Sequence, residues 1–139
     1  MTKQTDIVVS LLRLGAFLTR EGNRLLQDVG LNQQQYVVLN HIYHRQPINQ
    51  KEICSGLLFE KSNVSKIVKK LVQLKLAAGI RDTRDSRVTR LKITCKGEEL
   101  VIRCNEQFNR WNEKWLSGLS EQQLAQVSSA LSLLSGEPE

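Results

Sequence analysis

No apolar run in this 139-residue chain approaches the roughly 20 residues needed to cross a bilayer. The opening stretch MTKQTDIVVS has neither the basic nor the apolar region of a signal peptide. The expectation is a cytoplasmic protein with no membrane partner. Cysteine is scarce: Cys54, Cys95 and Cys104 are an odd number without CxxC spacing, which argues against a disulfide framework and a zinc cluster alike. Only 5% of residues are aromatic, so the core must be mostly aliphatic. A glycine-rich phosphate loop and a Gly-x-Ser-x-Gly elbow are both missing, and the cysteines have no evident catalytic partner beyond His41 and His44. The sequence therefore predicts no enzyme and no cofactor. Those two histidines, three apart and without neighbouring carboxylates, make too weak a set for a metal site.

What is present is a soluble, globular composition, with 40% apolar and 24% charged residues, on a chain long enough for one core. The net charge of +6 is unevenly placed. Residues 1–59 carry six Lys/Arg against four Asp/Glu, a net of +2; residues 60–92 carry ten against three, +7; residues 93–139 carry four against seven, −3. A basic block between neutral and acidic flanks is the footprint of a polyanion-binding face, because each neutralised phosphate releases condensed counterions. A solvated surface would produce the same count, so charge alone does not decide.

Helical periodicity accounts for most of the chain. Ile7, Leu11, Leu14, Leu18 and Leu25 predict a first helix from about Asp6 to Val29, stopped by Gly30. Three capping boxes then announce helix starts: Asn32 with Gln35, Asn49 with Glu52, and Ser120 with Gln123, each with an apolar staple across it. Val64, Ile67, Val68, Leu71 and Leu74 mark an amphipathic helix from about Lys61 to Leu74. A long fifth helix is predicted from Gly97 onward through Leu100, Cys104, Phe108, Trp111 and Trp115, and a sixth carries Leu124, Val127, Leu131 and Leu134. Only residues 76–94 escape this spacing. There Leu91 and Ile93 alternate with Arg90, Lys92 and Thr94, the period of a strand with one covered face, and a second strand at Ala77–Arg81 completes a hairpin around the turn RDTRDSR.

A short helix after Pro47, a connection, and the Lys61–Leu74 helix form a helix-turn-helix, with the hairpin as its wing. The predicted fold class is mainly α with a small β-hairpin wing, in six helices. The polar side of the second helix holds Ser62, Asn63, Ser65, Lys66, Lys69 and Lys70. Amides and hydroxyls there suit base edges in the major groove, and lysines suit guanine or phosphate. Asn49 and Gln50 begin the preceding helix on the same side. Arg84 and Arg87 at the wing suit backbone or minor groove, with Asp85 placed to hold Arg87. The expected partner is double-stranded DNA.

The segment DTRDSRVTRLKITCKG resembles the wing of the MarR-type winged-helix transcriptional regulators, in which an Asp-x-Arg pair precedes an apolar strand, Leu-Thr and Gly. Here these are Asp85, Ser86, Arg87, then Leu91, Ile93, Thr94 and Gly97. KSNVSKIVKKL resembles that family's recognition helix, and the six-helix order is similar over nearly the whole chain. The chain departs from the family in having Lys75 where Gly is frequent, Thr83 where Pro is frequent, and Ser86 where a second Arg is frequent. A lysine is less comfortable than glycine in a left-handed helix end, so a different ending is expected for the recognition helix. The resemblance implies a homodimer on a pseudo-palindromic operator, with residues 31–95 as the DNA-binding lobe and residues 1–30 and 96–139 as dimerisation helices. It implies a repressor released by a small aromatic or anionic effector, for which Arg13, His41, His44 and Arg103 are the candidate contacts. Two alternatives stand beside it: a redox-responsive regulator acting through its cysteines, and a winged-helix interaction module without DNA binding.

Overall fold

The computed structural model describes residues 2–81, 83–85 and 89–135. In chain order it contains α1 (Lys3–Leu25), α2 (Gln33–Arg45), α3 (Gln50–Leu57), α4 (Lys61–Gln73), β1 (Ala77–Arg81), β2 (Thr89–Ile93), α5 (Cys95–Trp115) and α6 (Glu121–Leu134). This is the expected mainly α architecture with a two-stranded hairpin. Two compact units divide the chain, residues 1–104 and 105–139.

All three capping boxes form reciprocally, at Asn32/Gln35, Asn49/Glu52 and Ser120/Gln123, so the starts of α2, α3 and α6 fall where the sequence places them. Three helix boundaries differ from expectation. α1 begins earlier, at Lys3, because the Thr2 hydroxyl accepts the Thr5 amide, and it ends at Leu25. Beyond that point the ladder gives way to tighter bonds, Gln27 N–H to Arg24 O and Val29 N–H to Leu26 O, which turn the chain under the fully buried Leu26. Gly30, at φ 81°, closes this turn rather than the helix. α5 starts two residues before Gly97, because the Thr94 hydroxyl accepts the Gly97 amide at 3.0 Å and the Thr94 carbonyl accepts that of Glu98.

The core of the first unit is aliphatic, as the shortage of aromatics requires. Val38, Leu39 and Ile42 of α2, Ile53 of α3, and Val64 and Leu71 of α4 are completely or almost completely buried, with Val101 of α5. Tyr36, the aromatic member of this core, donates its hydroxyl to the Val101 carbonyl at 3.4 Å. Burial pushes its pKa well above the ordinary range, with the Cys104 thiol adding to the shift.

The end of α4 corrects an expectation. The helix closes in the left-handed conformation in spite of its lysine: Lys75 has φ 60°. Its amide bonds to the Val72 carbonyl and that of Leu76 to the Leu71 carbonyl, both at 3.0 Å. This is a Schellman ending, and Leu71 and Leu76, its two apolar partners, are both buried. Two hydrogen bonds and that burial outweigh a left-handed penalty of about 1–2 kcal/mol for a residue with a Cβ. Glycine at this position costs about 0.5–1 kcal/mol in chain entropy. Lys75→Gly is therefore expected to stabilise the protein by about 0.5–1 kcal/mol. An unfolding midpoint in urea that did not rise would contradict this account of the helix end.

The hairpin pairs antiparallel from Ala77 with Ile93 to Arg81 with Thr89. Leu91 is buried, whereas its neighbours Arg90 and Lys92 are half-buried and exposed. The sequence reading missed a third contributor: Ile48, just before α3, bridges Leu91 through two backbone bonds, Leu91 N–H to Ile48 O at 2.8 Å and Ile48 N–H to Leu91 O at 3.2 Å.

Candidate nucleic-acid interface

α4 separates its faces cleanly. Val64, Ile67, Val68 and Leu71 are buried against the rest of the lobe, which leaves Ser62, Ser65, Lys66, Lys69 and Lys70 exposed on the opposite side. The helix packs on α2, α3 and β1, so its polar face is held by a rigid surround. Glu60 caps it without a side-chain hydrogen bond. Its acidic side chain stands at the end where the helix dipole favours negative charge.

Asn63 stands apart from the other candidates. It is half-buried, and its amide nitrogen donates to Gln34 Oε1 of α2 at 3.1 Å. Gln34 was missed from sequence because its partner lies 29 positions away. The contact fixes the orientation of the Asn63 amide against α2. Asn49 caps α3 with its side chain, accepting the Glu52 amide at 2.8 Å, and is half-buried, as is Gln50. Gln50, Lys51, Cys54 and Ser55 of α3 and Lys61 of α4 line a shallow groove of about 340 Å³. Lys51 and Lys61 were not among the sequence candidates; their place in the first turns of α3 and α4 was the available signal.

At the wing, Arg84 is exposed and Asp85 half-buried, each engaged in an interaction. Arg87 lies outside the described residues. Arg90, which alternation sets on the uncovered face of its strand, is not left to solvent. It is half-buried, and its guanidinium donates to Glu52 Oε1 at 3.3 Å and to the Pro47 carbonyl at 3.4 Å. A second cleft, of about 460 Å³, is lined by Pro47, Ile80, Arg81, Thr83, Arg84, Arg90 and Lys92. Four cations therefore converge beside the hairpin, on the same unit as the lysine face of α4.

The four candidate effector contacts are more dispersed. Arg13 on α1, His44 on α2 and Arg103 on α5 are exposed, and His41 is half-buried. None of them lines either groove described above. His41 packs over Gly56 so closely that a Cβ there would lie 2.8 Å from its Nε2, whereas His44 sets its ring edge-on to Tyr43. Among the described residues no group of three or more His, Cys, Asp or Glu is placed to hold a metal ion. Of the cysteines, Cys95 is exposed, Cys54 half-buried and Cys104 buried. Burial pushes the Cys104 thiol up, against the opposing pull of Arg103, so Cys104 serves as a small hydrophobe.

Burial lowers the His41 pKa below its ordinary 6.5, helped by Arg45 and His44. The unfolded chain then takes up the proton first, so the contribution of His41 to stability is complete above about pH 6.5 and is lost as pH falls toward the folded-state value. The unfolding midpoint should drop between about pH 7 and pH 5, and less steeply in His41→Asn. Equal slopes for parent and variant would remove His41 from this account.

Similarity to known proteins follows the same geometry. Residues 29–88, which include α2, the helix-turn-helix and β1 but not β2, match the sequence model of the MarR family. The HTH-type transcriptional regulator BilQ of Clostridium symbiosum is 26% identical over 109 residues, covering 78% of this chain and 76% of BilQ. The MepR–DNA complex of S. aureus superposes with a TM-score of 0.84 at 20% identity, over 96% of each chain. The organohalide-sensing regulator RdhR-CbdbA1625 in its 2,4-dichlorophenol-bound form gives 0.84 at 17% identity, over 96% of this chain and 80% of that one. The winged lobe thus matches the MarR family in sequence, and the six-helix fold is shared with solved structures along nearly the whole chain.

Proposed function

We propose that this chain is a MarR-type transcriptional regulator, a cytoplasmic, homodimeric repressor that reads a pseudo-palindromic operator through α4 and grips the flanking backbone with its wing. The observation that carries the reading is the exposed row Ser62, Ser65, Lys66, Lys69 and Lys70 on a helix whose other face is wholly core. In this assignment Asn63, held by Gln34, and Ser62 contact base edges. Lys66, Lys69 and Lys70 contact phosphate or guanine, Asn49 and Gln50 steady the approach from α3, and Arg84 and Arg87 serve the wing with Asp85 in support. Residues 31–95 would be the DNA-binding lobe.

Residues 1–30 and 96–139 would form the dimer. Ile7, Leu11 and Leu14 of α1 and Val127, Leu131 and Leu134 of α6 are large apolar side chains left exposed in one chain, more than a soluble monomer ordinarily shows. Two-fold symmetry would set two recognition helices about 34 Å apart, one turn of DNA. A small aromatic or anionic effector belongs to the same reading, with Arg13, His41, His44 and Arg103 as its contacts; the dichlorophenol-bound state of RdhR-CbdbA1625 supports that class of ligand. Such an effector acts only by favouring one spacing of the two lobes over another.

Selection of bound sequences from a random DNA pool, with sedimentation of the free protein, tests the proposal. The expected result is a palindromic consensus bound by a dimer. No enrichment would leave a winged-helix interaction module, and a monomer at micromolar concentration would remove the two-fold reader.

A further inference from the structure

Arg90 and Glu52 meet where the wing joins the helix-turn-helix. Glu52 Oε1 accepts from two directions, from the Asn49 backbone amide at 3.3 Å as the return half of the α3 capping box and from Arg90 Nη1 at 3.3 Å. Arg90 also donates to the Pro47 carbonyl. One residue further along β2, Leu91 exchanges two backbone bonds with Ile48. The segment 47–52 and the strand 89–93 are thereby fastened at three side-chain or backbone points. From this junction α3 runs toward α4, and the hairpin runs toward Arg84 and Asp85.

We infer that Glu52 and Arg90 are a positioning pair that sets the wing relative to the recognition helix, and that Arg90, though it sits in a basic cleft, works through Glu52 rather than on phosphate. The inference rests on the proposed reading of DNA. Chemistry favours it: a guanidinium already engaged by a carboxylate and a carbonyl has lost part of its attraction for an anion, whereas Arg81 and Lys92 in the same cleft are exposed. A carboxylate on a surface that approaches DNA costs affinity unless its position serves another purpose. Side-chain exposures of 30% for Arg90 and 50% for Glu52 keep the pair partly in solvent, so its effect is modest.

The sign of one substitution separates the two roles. Glu52→Gln keeps the capping box, which accepts either residue at that position, and removes a negative charge. If charge alone governs, DNA binding tightens. If the pair positions the wing, binding to the selected operator weakens about threefold to fivefold. Arg90→Ala should then weaken it by a similar factor without changing the dependence on salt, the double variant should be no worse than either single one, and Arg90→Lys should recover most of the loss. Tighter or unchanged binding by Glu52→Gln would overturn the inference. So would a drop of about one in the salt slope for Arg90→Ala, the signature of a lost phosphate contact. Hydrogen exchange of the free protein keeps the question apart from DNA binding itself. Should the parent bind no DNA, the proposed function fails. The pair is then judged on whether Glu52→Gln and Arg90→Ala speed exchange at the Ile48 and Leu91 amides relative to Val38 and Leu39. Unchanged exchange overturns it.

Discussion

Gly97→Ala is expected to cost about 3 kcal/mol of folding stability or more, the upper range for forcing extra volume into a packed site. A Cβ at this position would fall 2.1 Å from the Leu76 carbonyl oxygen and 2.8 Å from Ile93 Cγ1. The first obstacle is backbone, and it cannot rotate away. Leu76 O accepts the Thr94 amide at 3.1 Å, the Thr94 hydroxyl donates to Lys75 O at 2.7 Å and accepts the Gly97 amide. The end of α4, both hairpin strands and the first turn of α5 thus share one knot of hydrogen bonds with no room for a methyl group. Relief requires α5 to withdraw, which would loosen Val101 and Cys104 from the core they close. Urea unfolding should show a midpoint far below that of the parent, whereas Glu99→Ala, two residues on and exposed, should match the parent closely. A Gly97→Ala midpoint within error of the parent would mean the contact relaxes at little cost.

That knot also explains what was legible in the sequence and what was not. Periodicity and capping chemistry are local, and they located α2, α3, α4 and α6 through Asn32, Asn49, Ser120 and the Val64–Leu71 stripe. Alternation around Leu91 located the wing. Features that depend on distant partners were invisible. Neither the third strand position at Ile48 nor the tie between Asn63 and Gln34 leaves a trace in residue spacing. The same holds for Arg90, which reads as one more outward cation until Glu52, 38 positions earlier, is placed beside it. At Lys75 a local rule pointed one way and packing went the other, because burial of Leu71 and Leu76 fixes the path of the chain whatever residue sits between α4 and the hairpin.

The candidate site divides in the same manner. The identity of the lysine face follows from helical geometry alone, since four buried apolar residues on α4 leave Lys66, Lys69 and Lys70 on the opposite side. The division of labour among the arginines of RDTRDSR and its flanks does not follow, because it depends on which carboxylate or carbonyl each one meets. A charge count of +7 over residues 60–92 consequently overstates the cations available to an anion: Arg90 at least is already partnered.

Replacing Lys66, Lys69 and Lys70 together by alanine should produce the largest functional effect, a loss of about 10²-fold in DNA affinity at physiological salt. The three are exposed on one face, and alanine is the strongest helix former, so α4 should persist and the loss should fall on binding rather than folding. If each lysine neutralises one phosphate, the slope of log affinity against log salt falls by about 0.9 for each, close to three in all. The parent and the variant should then converge as salt rises, because the contribution removed is itself the one that salt suppresses. Circular dichroism with a salt titration on the selected operator checks both halves. A helical signal like that of the parent with an unchanged slope would show that these lysines are only solvated, and would place the contacts with DNA on another face of the lobe.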